Sequence, residues 1–123
     1  MAGYIAVDLD GTLAHYDGWK DGEIGPPVPQ MLARVQAWLE SGVEVRIFTA
    51  RVAVCDTYSE VSGESATESF AAEQRAKIEA WCEEHVGRAL PVTAQKDFAC
   101  IELYDDRAVA VEPNTGRTFR FER

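Results

Sequence analysis

Residues 5–14 read IAVDLDGTLA, and this stretch changes character halfway along. Ile5, Ala6 and Val7 form the apolar run of a buried strand, expected over residues 4–8. Asp8 and Asp10 then flank Leu9, and Gly11-Thr12 supplies a turn. In an extended strand both carboxylates would face one side, whereas a turn lets the second swing away. Two carboxylates at the mouth of a buried strand repel each other and resist desolvation, so their placement asks for a chemical reason.

Outward from this stretch, strand and helix patterns alternate. Leu13 to Pro29 mixes His, Tyr, Asp, Gly, Trp, Lys and Pro, and reads as a loop or small hairpin. Met31, Leu32, Val35, Trp38 and Leu39 then recur at helical spacing before Gly42, which predicts a helix over about 29–41. VEVRIFTAR (43–51) is the next strand, running through Val43, Val45, Ile47 and Phe48 into Thr49. Val52 to Ser69 is rich in Ser, Glu, Thr and Gly without a sustained period, and reads as a long polar loop or lid. Helical spacing resumes in 68–87 through Phe70, Ile78, Trp81, Cys82 and Val86, with Gly87 as the cap. LPVTA (90–94) and CIELYD (100–105) are short strands, and 108–121 predicts a terminal hairpin around Asn114-Thr115-Gly116.

Strands alternating with helices imply an α/β fold: a Rossmann-like, doubly wound, mainly parallel sheet with helices on both faces and a small C-terminal hairpin. At 123 residues the chain is expected to form one domain spanning 1–123. Cys55, Cys82 and Cys100 are odd in number and widely spaced, which suits reduced thiols in a cytoplasmic protein. No run of the roughly 18 apolar residues needed for a membrane span is present, nor a signal segment, so no membrane partner is expected. A net charge of -9 repels polyanions and argues against a dedicated nucleic-acid binder, leaving room only for a local basic patch.

In such folds sites lie at the carboxyl ends of the strands. The polar residues at those ends are Asp8 and Asp10, then Thr49, then Asp105 and Asp106. Four carboxylates converging on one sheet edge call for a cation, and without His or Cys beside them a hard, oxygen-ligated ion such as Mg²⁺ fits best. Magnesium held in this way keeps positions for substrate phosphate oxygens, which points to phosphoryl chemistry. Thr49 offers a hydroxyl and Lys96 a point charge to a phosphoryl group; Gly11, Thr12 and Arg51 are further candidates for contact with it. For Arg51 and Arg107, ion pairing to the aspartates is an equal alternative. A carboxylate can also attack phosphorus, forming an aspartyl-phosphate that divides one hard step into two. His15 and Tyr16 read as loop residues, and Trp38 and Trp81 as core.

Taken in order, VDLDGT (7–12), RIFTA (46–50), Lys96 and IELYDD (101–106) resemble the four motifs of the haloacid dehalogenase (HAD) superfamily, across nearly the whole chain. The resemblance implies a phosphatase in which Asp8 is the nucleophile and Asp10 protonates the leaving oxygen and later activates water. It implies that Thr49 binds a phosphoryl oxygen and that Lys96 offsets charge on Asp8. Mg²⁺ would be held by Asp8, the main-chain carbonyl of Asp10, and Asp105, with Asp106 acting through water or Lys96. The gaps at 13–29 and 52–69 are too short for a folded cap domain. A capless member is therefore expected, of a kind that acts on large substrates or borrows a neighbouring subunit of a homo-oligomer as cap. TAR (49–51) and DDR (105–107) are similar to small members that include the phosphatase part of polynucleotide kinases, which makes nucleic-acid 3'-phosphate ends an alternative substrate. The rival readings are a receiver-like phospho-signalling domain, whose accepting Asp would stand where Thr49 ends its strand, and a non-catalytic binding module on the same fold.

Overall fold

In the computed structural model, which describes residues 3–54, 58–59, 64–65 and 67–121, the apolar run becomes strand β1 (Tyr4–Asp8). Tyr4, Ile5, Ala6 and Val7 are all buried because β1 is an inner strand with neighbours on both sides. Its partners are β2 (Glu44–Phe48) and β6 (Cys100–Tyr104), while β5 (Val92–Thr93) pairs with β2. The sheet order is β5-β2-β1-β6 and every pairing is parallel. Between β2 and β5 lies a short antiparallel pair, β3 (Tyr58–Ser59) with β4 (Glu64–Ser65). The terminal hairpin joins β7 (Ala110–Val111) to β8 (Thr118–Phe119), and Asn114 and Gly116 take the positive φ its turn requires. Within the expected 52–69 loop, residues 55–57, 60–63 and 66, Cys55 among them, lie outside the described residues.

Two helices supply the crossovers. Helix α1 (Pro29–Glu40) starts on a proline, whose missing N–H is no loss at the first turn, and ends before Gly42 at φ +83. Helix α2 (Glu68–His85) is capped by the Thr67 hydroxyl, which accepts from the Phe70 N–H at 3.1 Å. Met31 and Val35 of α1 and Ala71, Ile78, Trp81 and Cys82 of α2 join Ile5, Val7, Val45 and Ile47 in one core cluster. The four strand residues alternate onto one sheet face, and full burial of a Val or Ile there contributes roughly 1.5–3 kcal/mol. Burial pushes the Cys82 thiol up to about 11, so it behaves as an apolar core group.

The expectation of helices on both faces needs correction. The β5–β6 connection has only residues 94–99, too few for a crossover helix, and it runs as a strap that turns at Phe98-Ala99. Tyr4 and Ala6 point to the face opposite the core cluster and are nonetheless buried. Tyr4 donates its hydroxyl to Asp97 of the strap at 3.0 Å, and the Arg46 guanidinium lies 3.9 Å over the Tyr4 ring. Among the described residues, no helix is long and apolar enough to cross a membrane.

Strand register sets the site. Asp8 pairs with Phe48, so Thr49 follows directly beside it. A bulge in β6 between the Tyr4 and Ile5 pairings inserts Ile101, shifting the register so that Val7 pairs with Tyr104. One step further, Asp105 stands level with Asp8. Without the bulge Tyr104 would stand there instead, and the β6 side chains beyond it would turn to the other face.

Candidate active site

The carboxyl ends of β1 and β6 bring three acidic side chains together. Carboxylate oxygens of Asp8, Asp105 and Asp106 all lie within 4.8 Å of one another, and each residue is half-buried. Their proximity acts most on Asp8. Burial, hydrogen bonding to Asp106 and the charges of Asp105, Asp106 and Asp10 together push the Asp8 carboxyl up to about 8. A group of oxygen donors this crowded has the chemistry of a hard divalent-cation site, and these three residues could hold one.

The turn after β1 is built to meet Asp106. Gly11 has φ +92, and a β-carbon there would stand 2.6 Å from an Asp106 carboxylate oxygen. Thr12 then bridges the two loops: its hydroxyl donates to Asp106 Oδ1 at 3.0 Å and accepts from the Asp106 N–H at 3.0 Å. Gly11 and Thr12, expected at the substrate, are thereby engaged in fixing Asp106. Gly11→Ala is expected to lower stability by about 1–3 kcal/mol, from the left-handed backbone and the clash together. The same substitution displaces Asp106 and should weaken divalent-metal binding; urea unfolding and metal titration check the two effects separately.

Asp10 stands apart from the three. Its carboxylate receives a two-pronged ion pair from Arg51, Nε to Oδ2 at 2.6 Å and Nη2 to Oδ1 at 2.8 Å. Arg51 was a candidate for substrate phosphate and, equally, for ion pairing to an aspartate; the structure places it in the second role. Its other N–H groups go to the Gly22 carbonyl (2.7 Å), Gln74 Oε1 (2.8 Å) and the Glu23 carbonyl (3.3 Å). No donor of the guanidinium is left for a ligand. Of the metal ligands expected from the sequence, Asp10 was to contribute its main-chain carbonyl, which this side-chain geometry leaves open.

Thr49 is buried at the end of β2, where its hydroxyl accepts from the Arg51 N–H at 3.1 Å and caps a single 3-10 turn at Ala50–Val52. A hydroxyl that accepts one hydrogen bond still has its own proton to donate. Lys96 makes no ion pair with Asp8 or Asp105. It is exposed on the strap, and the adjacent Asp97 is tied to Tyr4 at the end of β1 opposite Asp8. The short β5–β6 connection has to descend the sheet within six residues, and this pulls Asp97 away from the carboxyl edge. Arg107 is exposed as well, with its main-chain N–H on Asp105 Oδ1 at 2.9 Å. His15 and Tyr16 are exposed loop residues, Trp81 is core, and Trp38 packs partly buried against the core and the Tyr104 ring.

Four contributors escaped the sequence reading: Trp19, Gly22, Glu23 and Gln74, all around Arg51. Only Gln74 left a signal, as a polar residue on the apolar stripe that Ala71 and Ile78 define on α2. Trp19, Gly22 and Glu23 sit in a loop without periodicity, where no pattern announces a contact.

No protein-family model and no curated protein matches the chain. A solved structure from Bacteroides thetaiotaomicron, described as that of a conserved protein coded by locus, is similar with a TM-score of 0.54 and 16% identity. The match covers 88% of this chain and 78% of that one, and at this identity it bears on the fold alone: the chain has an α/β, Rossmann-like architecture with a mainly parallel sheet.

Proposed function

We propose that this chain is a Mg²⁺-dependent phosphatase of the HAD type, hydrolysing phosphoric monoesters through an aspartyl-phosphate on Asp8. The observation that carries the reading is the convergence of Asp8, Asp105 and Asp106 within 4.8 Å, with a second aspartate two residues after Asp8. Asp8, Asp105, Asp106 and the main-chain carbonyl of Asp10 would hold the Mg²⁺, which when bound offsets the charge gathered on these groups and on the phosphoryl oxygens.

In the first step an Asp8 carboxylate oxygen attacks phosphorus and the bond from phosphorus to the ester oxygen breaks. That oxygen takes a proton from the Asp10 carboxyl and leaves as the alcohol. In the second step water attacks the aspartyl-phosphate, giving its proton to the Asp10 carboxylate. The bond from phosphorus to the Asp8 oxygen breaks, releasing inorganic phosphate and restoring Asp8. Thr49 donates its hydroxyl to a phosphoryl oxygen throughout. Lys96 has no part in this scheme, since its place on the exposed strap does not support one.

The test is direct. With 4-nitrophenyl phosphate and Mg²⁺, the protein is expected to release nitrophenol and phosphate in equal amounts, and EDTA should stop both. Absence of metal-dependent turnover with this ester and across a panel of phosphorylated metabolites and 3'-phosphorylated oligonucleotides would overturn the proposal in favour of a binding module.

A further inference from the structure

Arg51 is almost wholly buried, its side chain 3% exposed, while the Asp10 carboxylate that it grips is 19% exposed. A long cation has thus been drawn inward in order to hold a short anion at the open edge of the sheet. The five hydrogen bonds of Arg51 come from three separate segments: Asp10 after β1, Gly22 and Glu23 in the β1–α1 loop, and Gln74 of α2. The Trp19 ring lies 4.8 Å from the guanidinium carbon and itself packs against Phe70 at 6.1 Å, so the plane of the fork is fixed as well as its ends. To deliver the two carbonyls, the loop holds Lys20, Asp21 and Gly22 in succession at positive φ, of 43, 57 and 80. Two non-glycine residues in that region persist only where their surroundings demand it.

From this we infer that Arg51 is a positioning residue for Asp10: it orients the acid/base carboxylate and makes that orientation depend on the loop at 19–23. The inference rests on the phosphatase reading and deepens it. A carboxylate presents about four acceptor directions; the two-pronged contact takes one on each oxygen, and the proton that Asp10 gives in the first step lies along one of the two that remain. The remaining directions are thereby aimed, and Asp10 needs no search to meet the leaving oxygen. A lysine in place of Arg51 keeps the charge but has no planar fork, so it can attract Asp10 without orienting it.

The signature of such a role is dependence on the leaving group. Esters of acidic alcohols depart without help, whereas alkyl esters need the proton from Asp10. The experiment measures kcat/KM with Mg²⁺ for a series from 2,4-dinitrophenyl phosphate to a simple alkyl phosphate, in the wild type, Asp10→Asn, Arg51→Lys and Gln74→Met. Asp10→Asn is expected to lose about 10²–10⁴-fold on the alkyl ester and little on the dinitrophenyl ester. Arg51→Lys should steepen the series in the same sense, by about 10–100-fold at the alkyl end, with Gln74→Met in between. A uniform loss across the series in Arg51→Lys, or none, would overturn the inference and leave Arg51 a purely structural anchor. If Arg51→Lys does not fold, Gln74→Met decides by the same criterion. A series that Asp10→Asn fails to steepen instead removes the acid/base reading itself, an outcome distinct from the failure of Arg51 alone.

Discussion

Asp8→Asn is expected to lower phosphate-ester turnover by about 10⁴-fold or more while leaving the metal-free protein folded and more stable than the wild type. The loss follows because an amide is a poor nucleophile towards phosphorus and a poor ligand for a hard cation. The gain follows from where Asp8 sits: half-buried, against Asp106 and Asp105, with its carboxyl pushed up to about 8. At neutral pH without metal, Asp8 can sit against the charges of its neighbours only by keeping a proton that the unfolded chain releases, and a neutral amide is spared that cost. Catalysis and stability should therefore move in opposite directions in one variant, which plain unfolding cannot imitate. Steady-state assays with Mg²⁺ and thermal melts in EDTA read the two effects. Retained metal-dependent turnover would remove Asp8 as the nucleophile.

The second large effect is a stability that depends on pH and metal together. The Asp8 carboxyl lies near 3.8 in the unfolded chain and near 8 in the folded one. Between these values the folded protein keeps a proton that the unfolded chain has released, so this group's stabilising contribution is complete below about pH 4 and is lost as pH rises towards 8. Part of the Asp8 surface remains in solvent, and screening reduces the effect to roughly 1–2 kcal/mol over the window. In EDTA, Tm should accordingly fall by several degrees from pH 5 to pH 8 relative to Asp8→Asn, which lacks the group. Excess Mg²⁺ should reverse the trend, because a cation binds the ionised form and its stabilisation grows as protons leave. Parallel pH profiles of wild type and Asp8→Asn in EDTA would contradict the crowding of carboxylates on which the site is built.

Much of the fold was legible in local pattern. The run IAV followed by DLDGT marks a buried strand and its stop, and the strand forms at Tyr4–Asp8. Helices expected over about 29–41 and 68–87 form at Pro29–Glu40 and Glu68–His85, since apolar periodicity and caps act within a few residues of chain. The carboxylates of the site were legible for the same reason: strand ends are local events, and the topology of a parallel sheet collects them on one edge. The second layer of helices was not. Whether a connection holds a helix depends on its length, and 94–99 is too short for one even though the alternation of patterns suggested it.

What the chain declares along its length is therefore the α/β class, the inner strand and the acidic residues at its mouth. Register and reach belong to the folded molecule. The bulge at Ile101 brings Asp105 level with Asp8, Gly11 admits the Asp106 carboxylate, and Arg51 spans three segments to grip Asp10. The path of the 94–99 connection leaves Lys96 exposed, and its reach towards Asp8 is likewise a matter of the folded chain. The physical reason is common to all four. Periodicity and turn chemistry are written within a few residues, whereas side chains separated by about 20 to 100 positions meet only after the sheet has set its register and the core has closed around it.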